Sequence, residues 1–280
     1  MAASHRLVWK DRLIRRGEWA ASTRKLGKEP RGRVIGTVGF GRIAQEAIRL
    51  LRPFEIGRFL AYDPFADAGV AAAMSVELTG LDDLLSTSDY VLVNCPLSAE
   101  TRKLIGEREL RLMKADAILI NTARGPVVDE AALERVLAEG AIAGAALDVF
   151  EREPLPAASA LTGLENTILS SHSVCWTEEL FRDMGREAFA GVLEIAAGRA
   201  PRHVVNLDVL DRPGFRRKLE QLREPRLHRG DSTWHGVRDC PVPGALADDF
   251  ARVRRDGDQL LRPPDALRLN ARVAPGIRDE

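Results

Sequence analysis

The stretch that decides the fold is Arg33–Ala44, which reads R-V-I-G-T-V-G-F-G-R-I-A. Its first half, Val34–Val38, is apolar and predicts a buried strand. The glycines Gly39 and Gly41 interrupt that run, and an amphipathic run up to Leu51 follows, with apolar residues at helical spacing. A strand, a glycine turn and a helix in this order are typical of a site that binds the pyrophosphate of a dinucleotide.

Each small residue of the turn has a separate physical task. Gly39 allows the tight turn, Gly41 lets the backbone approach a pyrophosphate closely, and Ala44 lets the helix pack against the strand. The free N–H groups at the helix N-terminus favour the negative charge of the phosphates. The residues that we assign to this part of the cofactor site are Gly39, Phe40, Gly41, Arg42 and Ile43.

An acidic residue supplies the second half of this pattern. The run Arg58–Tyr62 predicts another strand, and Asp63 ends it about twenty residues after the glycine turn. A carboxylate there accepts hydrogen bonds from the adenosine ribose and disfavours a 2′-phosphate, so we expect NAD rather than NADP. The alternative is a glycine turn in another kind of α/β protein, with Asp63 a solvated strand end.

The composition is that of a globular protein. The chain has 280 residues, 45% of them hydrophobic, and its 41 basic residues balance 41 acidic ones. We expect no nucleic-acid or membrane partner, because this balance creates no overall field and no apolar run approaches the ~20 residues of a membrane span. The isolated cysteines Cys95, Cys175 and Cys240 argue against disulfides and a zinc site. Together with an N-terminus that lacks the apolar core of a signal peptide, they predict a cytoplasmic protein.

Apolar strands alternate with helical segments from residue 33 onward. The strands are nearly continuous apolar runs, which is typical of strands buried on both faces. The predicted fold class is therefore α/β, with a doubly wound parallel sheet.

Ligands of such sheets bind at the carboxyl ends of the strands, so the residues that follow each strand are candidates for the site. They lie in the segments N-C-P-L, N-T-A-R-G-P, D-V-F-E-R-E-P and S-S-H-S. Most of the candidate residues lie in these four segments, and one lies shortly after N-C-P-L. They are Cys95, Pro96, Thr101, Arg124, Asp148, Glu153 and His172. An arginine, a glutamate and a histidine thus converge on the edge where the pyrophosphate is expected.

This set suits hydride transfer to a ketone. Negative charge develops on the carbonyl oxygen, and the imidazole of His172 is the natural proton donor near neutral pH. The carboxylate of Glu153 beside it would fix its tautomer and favour its protonated form. The guanidinium of Arg124 would bind a substrate carboxylate bidentately and polarise the adjacent carbonyl. Asp148 could accept a hydrogen bond from the nicotinamide carboxamide.

Each of these residues also has a purely structural alternative. Alone, His172 could be a satisfied structural histidine, Arg124 a surface charge and Glu153 the end of a turn. Their common position at one predicted sheet edge favours the catalytic interpretation.

With these residues identified, the chain resembles the D-isomer-specific 2-hydroxyacid dehydrogenases. The matching motifs, in family order over residues 33–176, are G-T-V-G-F-G-R-I-A with Asp63, L-L-S-T-S-D-Y-V-L-V-N-C-P-L-S-A-E-T-R, N-T-A-R-G-P-V-V-D-E-A-A-L, G-A-A-L-D-V-F-E-R-E-P-L-P and the segment around His172. The resemblance implies that Arg124 binds a 2-oxo acid, and that His172 is the acid/base with Glu153 as its partner. It also implies that NAD is held by Gly39, Gly41, Asp63, Thr101, Asp148 and the backbone around Cys95, Pro96, Thr122 and Ala123.

The chain departs from the family pattern at three places. Ser171 stands where a proline usually precedes the histidine, and Ala44 replaces the third glycine of the fingerprint. In family members most of a substrate domain precedes the helix predicted at residues 4–16, and we expect that part to be missing here. The predicted segments are a flanking helix and loop (1–32), a Rossmann-type NAD-binding domain (33–176), a return helix with a remnant of the substrate domain (177–222) and a disordered or loosely packed tail (223–280).

Three hypotheses of function compete. The first is an oxidoreductase that transfers a hydride between NAD(H) and a small 2-hydroxy or 2-oxo acid, similar to glyoxylate/hydroxypyruvate reductase and phosphoglycerate dehydrogenase. The second is a truncated NAD(H)-binding module without turnover, acting as an interaction or regulatory protein. The third, another Rossmann enzyme such as a methyltransferase, has no place for the N-T-A-R-G-P and E-R-E-P segments. The resemblance further implies a homodimer, with the helix at residues 4–16 as a candidate interface.

Overall fold

The structure, a computed structural model, describes residues 1–223. The predicted tail, 223–280, therefore lies outside the described residues except for Arg223. Two compact units are present, Met1–Val174 and a second that begins at Cys175. The predicted limits of the four segments stay a prediction.

A seven-stranded parallel sheet forms the centre of the first unit, with the strand order β3-β2-β1-β4-β5-β6-β7. The strands are β1 (Val34–Val38), β2 (Arg58–Tyr62), β3 (Val76–Leu78), β4 (Tyr90–Val93), β5 (Ile118–Asn121), β6 (Gly144–Leu147) and β7 (Thr167–Leu169). The order reverses between β1 and β4, and ligands of doubly wound sheets bind at that point. The predicted fold class is confirmed.

Helices cover both faces of this sheet. In the first unit they are α1 (Leu7–Arg15), α2 (Arg42–Leu51), α3 (Ala68–Ala73), α4 (Leu81–Thr87), α5 (Glu107–Leu112) and α6 (Glu130–Glu139). One buried cluster joins the sheet to α4, α5 and α6, with Leu84, Leu110 and Leu133 fully or almost fully buried. A second cluster on the opposite face includes Ile48 of α2 and Ala71 of α3. Burial on two faces explains why the strands are almost wholly apolar.

Three elements of the first unit differ from the sequence prediction. The first helix begins at Leu7 rather than residue 4, and its N-cap residue Arg6 has a left-handed backbone with a φ of 53°. Both α3 and β3 escaped prediction because they are short. The cap of α3 was a usable signal, since the Asp67 carboxylate accepts hydrogen bonds from the N–H groups of Gly69 and Val70.

Among the described residues of the second unit, 175–223, there are two α-helices, α7 (Glu178–Ala196) and α8 (Pro213–Arg223). Thr177 caps α7 by accepting a hydrogen bond from the N–H group of Leu180, and α7 has no buried side chain. The sequence analysis missed α8, although a proline at the first position is a known signal of a helix start. Over residues 1–223, no helix has the length and apolar character needed to cross a bilayer.

Candidate active site

The glycine turn after β1 is open toward solvent at the start of α2. Gly39 has a φ of +95°, and a Cβ there would lie 2.6 Å from the backbone nitrogen of Cys95, so no other residue fits. Gly41 is the N-cap of α2, with no side-chain cap, and a Cβ at this position would meet nothing within 4 Å. The N–H groups at the start of α2 therefore face free space, as a pyrophosphate site requires.

The flanking residues of the turn divide into buried and exposed ones. Phe40 and Ala44 are buried in the core, with 3% and 1% of their surface exposed. A cofactor can therefore meet only the backbone of Phe40. Ile43 is 74% exposed and Arg42 is also exposed, so both side chains are free to border a bound dinucleotide.

Asp63 directly follows β2 and binds the glycine turn itself. Its Oδ2 accepts a hydrogen bond from the N–H group of Phe40 at 2.9 Å, and its Oδ1 accepts one from the N–H group of Phe65 at 2.9 Å. The sequence analysis assigned Asp63 to the ribose alone. Each carboxylate oxygen retains a second lone pair, so the two tasks are compatible.

The segment after β4 is stabilised by its own hydroxyl group. Thr101 Oγ1 donates to the carbonyl of Pro96 at 2.6 Å and accepts from the N–H group of Ser98 at 2.7 Å. Cys95 is buried, and this burial raises the pKa of its thiol. Cys95 can therefore contribute to a cofactor site only through its backbone and a neutral thiol. The sequence analysis had proposed the backbone contribution.

The loop after β5 is held by Asn121, a residue that the sequence analysis did not single out. Asn121 is 1% exposed, and its Nδ2 donates to the carbonyl of Arg124 at 3.1 Å. Its Oδ1 accepts from the N–H group of Ala123 at 3.0 Å. Thr122 and Arg124 are exposed on this loop. The position of a polar residue at the end of an apolar strand was the signal that could have identified Asn121.

Two loops meet at Gly125, where the backbone after β5 touches the backbone after β6. A Cβ on Gly125 would lie 1.9 Å from the carbonyl carbon and oxygen of Phe150, which leaves space only for glycine. This contact sets the loop of Arg124 against the loop that leads to Glu153.

An imidazole–carboxylate pair forms at this edge. Nδ1 of His172 lies 2.8 Å from Oε2 of Glu153, and Oε1 of Glu153 accepts a hydrogen bond from the N–H group of Phe150 at 3.0 Å. The hydrogen bond from His172 lowers the pKa of Glu153, burial opposes this shift, and the Phe150 N–H group and the charge of Arg124 add to it. Glu153 is thus an ionised partner for the ring.

The segment of His172 is anchored to the end of β6. The N–H group of His172 donates to the carbonyl of Asp148 at 2.8 Å, and His172 has a left-handed backbone with a φ of 55°. The carboxylate of Asp148, which is 5% exposed, accepts from the N–H groups of Ser173 and Val174 at 2.9 and 3.2 Å. Asp148 therefore supports the histidine segment, and its role toward a nicotinamide stays a prediction.

The structure brings together the residues that the sequence placed at one edge. Glu153 touches His172 directly, and Arg124 is near enough to Glu153 to influence its pKa, without a hydrogen bond between the two within the described residues. The Nη1 of Arg124 donates to the carbonyl of Ala123 at 2.6 Å. This interaction leaves other guanidinium N–H groups for an anionic ligand.

These features define a class of protein: a doubly wound nucleotide-binding domain with an imidazole–carboxylate pair at its carboxyl edge. The residues present fit a dinucleotide, because the turn is open at Gly41, sterically requires Gly39 and carries Asp63 beside it.

Comparison with known proteins gives the family. Residues 1–173 match the family described as D-isomer specific 2-hydroxyacid dehydrogenase, NAD binding domain. This chain belongs to that family, as the sequence motifs predicted, and the matched part is its NAD-binding domain.

Individual relatives agree with this assignment. The chain is 40% identical to a glyoxylate reductase of Korarchaeum cryptofilum, over 77% of this chain and 66% of the relative. It is 42% identical to a glyoxylate reductase of Thermofilum pendens, over 75% and 63% of the two chains. The crystal structure of D-lactate dehydrogenase with NAD+ from Lactobacillus jensenii superposes with a TM-score of 0.67 at 27% identity, covering 74% of this chain and 65% of that one. The chain thus spans about two thirds or slightly less of the length of these relatives.

Proposed function

We propose that the chain is an oxidoreductase that transfers a hydride between NAD(H) and a small 2-hydroxy or 2-oxo acid. The observation that carries this proposal is the hydrogen bond between Glu153 and His172, at the sheet edge that also presents the glycine turn. The names of the two glyoxylate reductases support a small 2-oxo acid such as glyoxylate as the substrate.

His172 is the proposed acid/base. Its Nδ1 faces Glu153, so Nε2 is the ring nitrogen that is left to donate a proton to the substrate carbonyl oxygen. Glu153 fixes this orientation and compensates the positive charge of the protonated ring. In the reverse reaction the same Nε2 accepts the proton of the substrate hydroxyl.

Arg124 is the proposed substrate-binding residue. Its guanidinium is exposed on the loop that Asn121 holds, and a planar fork of N–H donors matches a carboxylate. A 2-oxo acid bound in this way has its carbonyl next to the arginine, so the guanidinium also stabilises the charge that develops on the oxygen.

NAD is the proposed cofactor, and when bound it supplies or accepts the hydride. The turn and the helix start would hold the pyrophosphate, and Asp63 would bind the ribose and favour NAD over NADP. The proposed cofactor residues are Gly39, Phe40, Gly41, Arg42, Ile43, Asp63, Cys95, Pro96, Thr101, Thr122, Ala123, Arg124, Asp148 and His172.

A second copy of the chain is the proposed partner. Leu7 and Ile14 of α1 are 59% and 45% exposed, and Trp19 and Leu26 behind it are 77% and 78% exposed. Several exposed apolar side chains on one segment are typical of an interaction surface. Sedimentation equilibrium should therefore detect a dimer, and a monomer at micromolar concentration would contradict this part. The cytoplasm is the proposed location, because the cysteines show no disulfide pattern.

The activity is tested with the purified full chain. We expect NADH oxidation with at least one of glyoxylate, hydroxypyruvate and pyruvate, and a rate at least about a hundredfold lower with the His172→Gln variant. NADH fluorescence and a melting curve verify binding and folding in the same samples. A folded wild-type chain that binds NADH but oxidises it with none of the three acids would contradict the proposed activity. The non-catalytic alternative has no support from the two curated relatives, both of which carry enzyme names.

A further inference from the structure

A second charged cluster lies beside the proposed active site and has no task in the chemistry described above. It consists of Lys103, Asp129, Glu130 and Glu151. The Nζ of Lys103 lies 3.0 Å from Oδ2 of Asp129 and 3.7 Å from Oε1 of Glu151. Lys103 belongs to the segment after β4, Asp129 precedes α6, and Glu151 follows β6. The cluster therefore connects three of the loops at the carboxyl edge.

Glu130 and Glu151 bind each other's backbone in a reciprocal arrangement. Oε1 of Glu151 accepts a hydrogen bond from the N–H group of Glu130 at 3.2 Å, and Oε2 of Glu130 accepts one from the N–H group of Glu151 at 2.9 Å. Glu130 is the first residue of α6, so Glu151 also satisfies a free donor at a helix N-terminus. Burial raises the pKa of Glu130, because a half-buried carboxylate loses part of its hydration.

The turn that this arrangement holds is the one that presents Glu153. Oε1 of Glu153 accepts from the N–H group of Phe150, and the carbonyl of Phe150 lies against Gly125. Both the side chain and the backbone of Glu151 are therefore held in place. Glu151 lies in the turn between Phe150 and Glu153, and the position of this turn sets the distance between Glu153 and His172.

We propose that Glu151 is a positioning residue for Glu153, acting through the turn that both share. The proposal rests on the proposed function, since it assigns Glu151 a part in the same reaction. The hydrogen bonds and the ion pair of Glu151 go to Glu130 and Lys103 rather than to His172. Its effect on catalysis would therefore pass through the Glu153–His172 distance. Misplacement of a catalytic group by even 1 Å can cost about a hundredfold in rate.

The first test compares two substitutions at Glu151. Glu151→Ala removes the acceptor for Glu130, and we expect kcat to fall about tenfold, with the KM for NADH changed less than about twofold. Glu151→Gln keeps an acceptor oxygen of the same reach, and we expect it to restore kcat to within about threefold of the wild type. The control is Glu77→Ala at the far edge of the sheet, where Glu77 pairs on the surface with Arg58 at 2.8 Å. That variant should leave kcat unchanged.

The decisive step repeats Glu151→Ala in a Glu153→Gln background. If Glu151 acts through Glu153, the second substitution removes nothing further, and kcat should differ from that of Glu153→Gln by less than about twofold. A full additional tenfold loss in the double variant would overturn the proposal, because the role of Glu151 would then be independent of Glu153. Melting curves identify any variant that has simply unfolded.

A spectroscopic readout separates this proposal from the proposed function. The ¹⁵N resonance of His172 Nδ1 reports its hydrogen bond to Glu153, and it can be measured without substrate. We expect Glu151→Ala to move this resonance and Glu77→Ala to leave it in place. An inactive wild type would refute the proposed function only. An unmoved Nδ1 resonance in a folded Glu151→Ala variant would refute the positioning role, whether or not the wild type is active.

Discussion

The turn after β1 and the loops after β5 and β6 lie at the same sheet edge, yet they differ in whether their polar groups are hydrogen-bonded within the protein. The turn leaves the N–H groups at the start of α2 without a side-chain cap, and a Cβ at Gly41 would meet open space. The two loops use their polar groups internally, through Asn121, Asp148 and the Glu153–His172 pair. A Cβ at Gly125 would collide with a backbone carbonyl.

Under the proposed function, this difference separates the region that would bind the cofactor from the region that would carry out the chemistry. An anion can occupy the open turn because, within residues 1–223, no side chain caps the N–H groups at the start of α2. The loops require their internal hydrogen bonds, because acid/base chemistry needs a side chain held at a fixed distance from its partner. Substitutions in the turn should therefore affect affinity, and substitutions in the loops should affect kcat or stability.

The largest expected effect follows from removal of the proposed proton donor. In the His172→Gln variant we expect kcat to fall by about 10²- to 10⁴-fold, because the developing alkoxide loses its proton source. The dissociation constant for NADH, measured by fluorescence titration, should change less than about tenfold, because His172 is only one of the proposed cofactor residues. A loss of NADH affinity as large as the loss of kcat would show that the loops and the turn do not have separate functions.

The next effect concerns stability, at the point where the two loops touch. Gly125→Ala places a Cβ 1.9 Å from the carbonyl of Phe150, so the backbone must move. We expect the free energy of unfolding to fall by about 3 kcal/mol, measured by urea denaturation. A variant as stable as the wild type would contradict the close approach of these loops.

Gly41→Ala is the matched glycine substitution in the open turn. The new Cβ meets no protein atom within 4 Å, so we expect a stability loss of less than about 1 kcal/mol. The methyl group would instead occupy space that a pyrophosphate needs, and NADH should bind about tenfold more weakly. Unchanged NADH affinity would argue against this turn as the phosphate site.

The smallest expected effect is a pH dependence of the stability that the Glu153–His172 pair contributes. His172 lowers the pKa of Glu153 below its usual value, about 4.3 for an unfolded chain. The carboxylate therefore stabilises the fold at pH values above that unfolded value, and this contribution is lost as the pH falls through the lowered value. We expect the difference in unfolding free energy between the wild type and Glu153→Gln to shrink between pH 6 and pH 3. A difference that grows toward low pH would contradict the ionised state of Glu153.

The sequence predicted the sheet and the glycine turn, and it placed the three proposed catalytic residues at one sheet edge, because each of these inferences depends on local patterns. Apolar runs bounded by glycines marked the strands, and the order of strands fixed the edge to which Arg124, Glu153 and His172 belong. The sequence could not show that Asp63 binds the backbone of Phe40, or that Glu130 and Glu151 brace each other, because these contacts join residues of different loops. The short helix after Asp67 was missed because its apolar period is too brief to detect.

The most direct test of the central claim is a crystal structure of the chain with NADH and oxamate, an unreactive analogue of a 2-oxo acid. We expect the pyrophosphate within hydrogen-bond distance of the backbone at Gly41, and the oxamate carboxylate about 2.8 Å from the guanidinium of Arg124. The carbonyl oxygen of oxamate should lie about 3 Å from Nε2 of His172. Oxamate bound away from Arg124 and His172, or a pyrophosphate bound away from the glycine turn, would contradict the account.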